Sequence, residues 1–96
     1  MRSYAKQIRW SLMVEISDIR DVLKSLESLK GVVDTLSDDD DLFEKGLDSF
    51  GSVQLMLALE ERFDIEFPDS ALGRRSFSTI RIIRDTVAGL RQQEAA

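Results

Sequence analysis

The apolar residues of this chain recur at helical spacing, and that periodicity confines it to packed helices. Ile16, Ile19, Leu23 and Leu26 lie three and four apart, with Asp18, Asp21, Lys24 and Glu27 on the other side. Ile80, Ile83, Val87 and Leu90 repeat the pattern near the C-terminus. At 3.6 residues per turn each set forms one apolar stripe, which another element has to cover. Between them, a second helix in chain order is expected from about Ser49 to Phe63, capped by Asp48 or Ser49. It should end at Phe63-Asp64, before Ile65-Glu66-Phe67-Pro68, because the residue preceding proline resists helix.

Between these helices the chain is punctuated. Ser17 or Asp18 is expected to cap the first helix and Gly31 to stop it. A long connection then covers about 31–48, where Leu36, Leu42, Phe43 and Leu47 should fold back onto the core. Residues 69–77, with Gly73, Arg74 and Arg75, read as a short third helical element of about one turn. Ser78 or Thr79 should cap the last helix. The expected fold is all-α, a small four-helix bundle with a long first loop and a short third helix.

Ninety-six residues make one domain, expected over 13–92, with 1–12 as an N-terminal extension and 93–96 as a frayed tail. Hydrophobic residues are 43% and charged residues 32%, which is too apolar for a disordered chain. The longest apolar run, Leu55 to Leu59, falls far short of a membrane span. The first dozen residues are polar and basic, without the apolar stretch of a secretory signal. Cysteine and histidine are both absent, so the usual zinc sites and the Ser-His or Cys-His catalytic pairs cannot be built. Lack of cysteine fits a reducing cytosol, and a cytoplasmic protein is expected.

Net charge is -5. Arg2, Lys6 and Arg9 stand in a stretch without acids; setting them aside leaves 10 basic against 18 acidic residues in 13–96, a balance of -8. An acidic body disfavours nucleic acid and suits a partner with a basic docking face. The run Asp38 to Asp41 invites a calcium reading, but Leu42 and Phe43 interrupt the alternating oxygen ligands that a calcium loop requires. No metal is expected. Ser37 ahead of the acids reads instead as the start of a helical turn.

The helix over 49–63 carries two apolar stripes. Ser52, Leu55, Met56, Leu59 and Phe63 share the side expected to meet the core. Phe50, Val53 and Leu57 fall on the other side, flanked by Gln54 and Glu61, with Glu60 at the edge. A helix in so small a bundle buries one face, so this second stripe should stay open to a partner. Burial of both sides, for example in a dimer, is the alternative.

Ser49 stands at the head of that helix, where a serine most often serves as an N-cap. Its surroundings, however, read Gly46-Leu47-Asp48-Ser49-Phe50, followed by Leu59-Glu60-Glu61-Arg62-Phe63-Asp64-Ile65-Glu66-Phe67-Pro68. Over roughly 16–90 the chain resembles the acyl carrier proteins. The resemblance implies a bundle of acyl-carrier-protein type and a covalent phosphopantetheine on Ser49, donated from coenzyme A by a phosphopantetheinyl transferase. Asp48 would help present the serine. The resemblance further implies a non-catalytic, monomeric carrier whose arm holds an activated group as a thioester.

Four features depart from fatty-acid carriers. Phe50 replaces a leucine, Gly51 and Gln54 stand where acids are common, and Arg74, Arg75, Arg81 and Arg84 make a basic edge. The stretches 49–57 and 74–78 are most similar to the rhizobial-type aminoacyl carrier proteins, charged by amino acid:carrier protein ligases related to seryl-tRNA synthetase. That similarity implies a small amino acid, glycine or alanine, as cargo. The alternative is a carrier of fatty-acid or polyketide chains served by acyl-transfer enzymes. A third reading is an unmodified adaptor that uses Phe50, Val53 and Leu57 as a binding face. Phe50, Val53, Gln54, Leu57, Glu60, Glu61, Arg74 and Arg75 are the candidate partner-binding residues.

Overall fold

The computed structural model describes residues 14–95. Among them are three α-helices and no strand: α1 (Ile16–Lys24), α2 (Ser49–Phe63) and α3 (Ile80–Ala95). Single 3-10 turns occupy Val33–Thr35, Asp69–Ala71 and Arg74–Phe77. The stretch 1–12, read as an extension, lies outside the described residues, and α3 continues into the stretch read as tail.

The three apolar stripes meet in one core. Ile19 and Leu23 of α1, Leu55 and Leu59 of α2, and Ile80, Ile83 and Val87 of α3 are almost fully buried. Burying each such side chain stabilises the fold by about 1.5–3 kcal/mol, against the conformational entropy of ordering the chain. Leu36, Leu42 and Leu47 of the long connection join them, and Phe43 packs partly against the cluster. Leu26 is buried as expected, but α1 ends earlier than Gly31. The Ser25 hydroxyl donates to the Val22 carbonyl at 2.6 Å, offering the backbone an alternative to the helical ladder. The chain then proceeds in turns that still seat Leu26 and Leu29 inward.

Capping differs at one helix and agrees at two. Glu15, rather than Ser17 or Asp18, is the N-cap of α1, because the Asp18 carboxylate at the third position accepts from the Glu15 N–H at 3.0 Å. Asp48 caps α2. At its end Asp64 adopts the left-handed conformation, φ 55°, and so turns the chain out of the helix. The Thr79 hydroxyl accepts from the Ile82 N–H at 3.0 Å at the start of α3.

The short third helix is not an α-helix. Its place is taken by the turns at Asp69–Ala71 and Arg74–Phe77, separated by Gly73, the residue least able to continue a helix apart from proline. Phe77 is nonetheless buried, with its ring centroid 5.4 Å from that of Phe67. In the long connection Gly46 has φ 128°, and a Cβ there would come 3.2 Å from the Ser28 carbonyl oxygen, so glycine is required at that corner.

The four aspartates have structural work. Arg20 of α1 donates to the carbonyls of Val33 (2.9 Å) and Leu36 (2.8 Å) and to Asp38 Oδ1 (2.7 Å), strapping the connection to the helix. Arg81 of α3 donates to Asp39 at 2.8 Å. Asp40 accepts from the Ser37 N–H and Asp41 from the Phe43 N–H, each at 2.9 Å. Backbone bonds from Leu42 to Ser78 (2.8 Å) and from Arg81 to Asp38 (3.0 Å) hold the loop against the start of α3. The Arg81 guanidinium holds the Asp39 carboxyl below its ordinary range, and the Ser37 amide does the same for Asp40. Among the described residues no cluster of acids is disposed to hold a metal ion.

Candidate functional site

Ser49 is the first residue of α2, and its neighbours free its hydroxyl. The Asp48 carboxylate accepts from the Gly51 N–H at 2.7 Å, and the Asp48 carbonyl accepts from Ser52 at 2.8 Å. Asp48 therefore does the capping that a serine at a helix head usually does. The Ser49 side chain is exposed and its hydroxyl has no hydrogen-bond partner among the described residues. Ser52 closes the turn behind it by donating from its hydroxyl to the Ser49 carbonyl at 2.8 Å. A free primary hydroxyl thus stands at the positive end of a 15-residue helix, where an attached anion is favoured.

Two hollows open on either side of the Asp48–Ser49 corner. One, of about 400 Å³, reaches from Ser49 and Ser52 to Phe43, Leu72, Arg74 and Phe77. The Arg74 guanidinium lies over the Phe43 ring, 4.0 Å from its centroid. The other hollow, of about 340 Å³, lies between Asp48, Phe50, Gly51 and Gln54 on one side and Glu27 and Ser28 on the other. Gly51 is buried at its base, where a Cβ would approach Leu47 to 3.0 Å and Asp48 and Ser28 to 3.1 Å. The missing acid at position 51 is a matter of space, since α2 runs hard against the turn that follows α1.

The second stripe of α2 is open, as its periodicity predicts. Phe50 is 70% exposed, Val53 52% and Leu57 55%. Gln54 and Glu61 are exposed beside it. Glu60 is half-buried and its carboxylate accepts from the Phe67 N–H at 2.9 Å, so it also orders the chain after α2. Arg74 and Arg75 part company. Both are exposed, but Arg74 borders the Ser49 hollow and Arg75 does not line it. Arg81 and Arg84 pair with Asp39 and Asp85, which reduces the basic edge to Arg74 and Arg75. Sequence reasoning missed Ser52, Leu72 and Phe77 as neighbours of Ser49, and it placed Phe43 in the core. They come from separate segments with no shared local pattern.

Residues 17–83 match the family described as the phosphopantetheine attachment site. The chain belongs to that family. Carriers of this kind bear phosphopantetheine covalently on a serine and are acted on by separate enzymes. This carrier is 55% identical over 69 residues to the aminoacyl carrier protein of Agrobacterium fabrum, a match covering 72% of this chain and 83% of that one. It is 42% identical to the D-alanyl carrier protein of Streptococcus sanguinis, covering 74% and 91%. Its structure resembles a chain in the crystal structure of an engineered Bradyrhizobium japonicum glycine:carrier protein ligase complexed with carrier protein from Agrobacterium tumefaciens and ATP. The TM-score is 0.71 at 53% identity, covering 75% of this carrier and 94% of that chain. A solution structure of an Agrobacterium tumefaciens protein matches at TM-score 0.65 and 51% identity, covering 85% and 100%. The free hydroxyl, the helix end behind it and the hollow beside it fit the attached group. Among the described residues no helix is long and apolar enough to cross a membrane.

Proposed function

We propose that this carrier takes phosphopantetheine on Ser49 and holds a small amino acid, glycine or alanine, as a thioester for delivery to a partner enzyme. The observation that carries the assignment to Ser49 is its unpartnered hydroxyl at the head of α2, with Asp48 already serving as cap. In the loading step Ser49 Oγ bonds to the phosphorus of coenzyme A next to the pantetheine, loses its proton, and the nucleotide half leaves. The attached group supplies a thiol on a flexible tether, which makes each later encounter effectively intramolecular. Asp48 and Gly51 hold the helix head rigid, so the tether starts from a fixed point.

Similarity to the aminoacyl and D-alanyl carriers supports an amino acid as cargo. The solved ligase complex supports an amino acid:carrier protein ligase as one partner. Phe50, Val53 and Leu57, with Gln54 and Glu61 beside them, form the face such a ligase and the transferase would grip. The turns over 69–77 serve as the short fourth layer of the bundle, and the carrier works as a cytoplasmic monomer.

Intact-mass measurement after incubation with coenzyme A and a broad-specificity transferase tests the site. One phosphopantetheine should be gained by the wild type and none by Ser49→Ala; a gain by Ser49→Ala would move the attachment elsewhere. The loaded carrier, given ATP, glycine or alanine and a glycine:carrier protein ligase, should gain one aminoacyl group. Failure there, with acylation by a fatty-acyl synthetase instead, would replace the cargo by an acyl chain.

A further inference from the structure

We infer that Arg74, braced on the Phe43 ring, pairs with the phosphodiester linking the arm to Ser49 and lays the start of the arm along the hollow towards Leu72 and Phe77. The inference rests on the reading that Ser49 is the attachment point.

The first observation is charge. Acids outnumber bases 18 to 13 in the chain, and several arginines are paired with them: Arg20 with Asp38, Arg62 with Asp18, Arg81 with Asp39. Arg74 has no carboxylate partner among the described residues, although it lines the same hollow as Asp48 and Ser49. The second is orientation. Stacking on Phe43 restrains the long side chain, so little rotamer freedom is left to lose when its fork meets an anion. The third is the lining. Besides Arg74 the hollow is lined by the apolar side chains of Leu47, Phe77 and Leu72, the last 44% exposed.

A phosphodiester is a monoanion at neutral pH, and the pantetheine continues from it through one methylene to a carbon bearing two methyl groups. An anion with a compact apolar group close to it matches a hollow that offers a guanidinium together with leucine and phenylalanine. The N-terminus of α2 reaches the same phosphate from the serine side. Arg75 lacks both the ring beneath it and a place on the hollow.

Isotope-labelled carrier, unloaded and loaded with phosphopantetheine, tests this by NMR, with loading at Ser49 first established by mass. Loading should move the Arg74 Nε–H resonance and the Leu72 and Phe77 amides, and it should give contacts from the arm's two methyls to Leu72 and Phe77. In loaded Arg74→Gln the methyl contacts should be lost and the phosphorus resonance should return to its position in urea-unfolded protein. Loaded Arg75→Gln should keep the wild-type signals. A wild-type carrier that is loaded at Ser49 yet shows none of these contacts overturns the inference and leaves the attachment site standing. So does an Arg74→Gln carrier that retains them all. Absence of the mass gain overturns the attachment reading itself, and the inference with it.

Discussion

The two sides of α2 are built from similar residues and stand in opposite surroundings. Leu55 and Leu59 are buried against α1 and α3, while Phe50 and Leu57, no more polar, stand more than half exposed. In a domain this small the core is filled from three stripes, and a fourth has nothing left to cover it. What separates the two sides is therefore placement around one helix axis, not hydrophobicity. An exposed apolar surface made this way is rigid, because the backbone that carries it is pinned from behind.

The comparison is open to four tests. The largest effect belongs to the inner side: Leu55→Ala should destabilise the fold by about 2–5 kcal/mol in urea titrations, whereas Leu57→Ala should stay within about 0.5 kcal/mol. Equal costs would mean that the outer stripe is buried, as in a dimer. Next comes the loop behind α2. Arg20→Gln removes the donor to two carbonyls and Asp38, and a loss of about 2 kcal/mol is expected together with faster amide exchange over 33–38.

Phe50→Ala should leave stability unchanged within about 0.5 kcal/mol, yet weaken capture by an amino acid:carrier protein ligase about tenfold, read as a rise in KM for the loaded carrier. Unchanged capture would show that the outer stripe is not the docking face. The smallest effect is on acid. Asp39 and Asp40 bind protons less readily in the fold than in the open chain. The stability they add is therefore complete above the ordinary aspartate range and lost as pH falls through their lower native midpoints. Carboxyl titration by NMR should place both below ordinary aspartate, and Arg81→Gln should raise the midpoint of Asp39 alone. The outer stripe carries no titrating group and should be indifferent to this change.

Periodicity made much of this molecule legible. The apolar sets beginning at Ile16 and Ile80, the double stripe of α2 and the inward leucines of the long connection depend on residue spacing, and spacing survives folding unchanged. Glu15 was missed as a cap because its bond is made by a residue three positions ahead. The premature end of α1 turns on one hydroxyl, Ser25, competing for a carbonyl. The hollow beside Ser49 was illegible for a different reason. Phe43, Ser52, Leu72, Arg74 and Phe77 are brought together by the packing of two connections against α2, and no window of sequence contains them all. Asp38 to Asp41 looked like a single acidic feature and resolve into four separate bonds.

The placement of Ser49 and Leu57 on one unbroken helix has a metrical consequence. Eight residues at 1.5 Å each set them about 12 Å apart along the axis. Under the proposed function, an enzyme that clasped Phe50, Val53 and Leu57 would be handed the root of the tether at a known distance and bearing, whatever the tether carries. A single residue inserted after Ser49 would lengthen that distance by about 1.5 Å and, more damagingly, swing the grip by about 100° relative to the root. The helix is a gauge as much as a support.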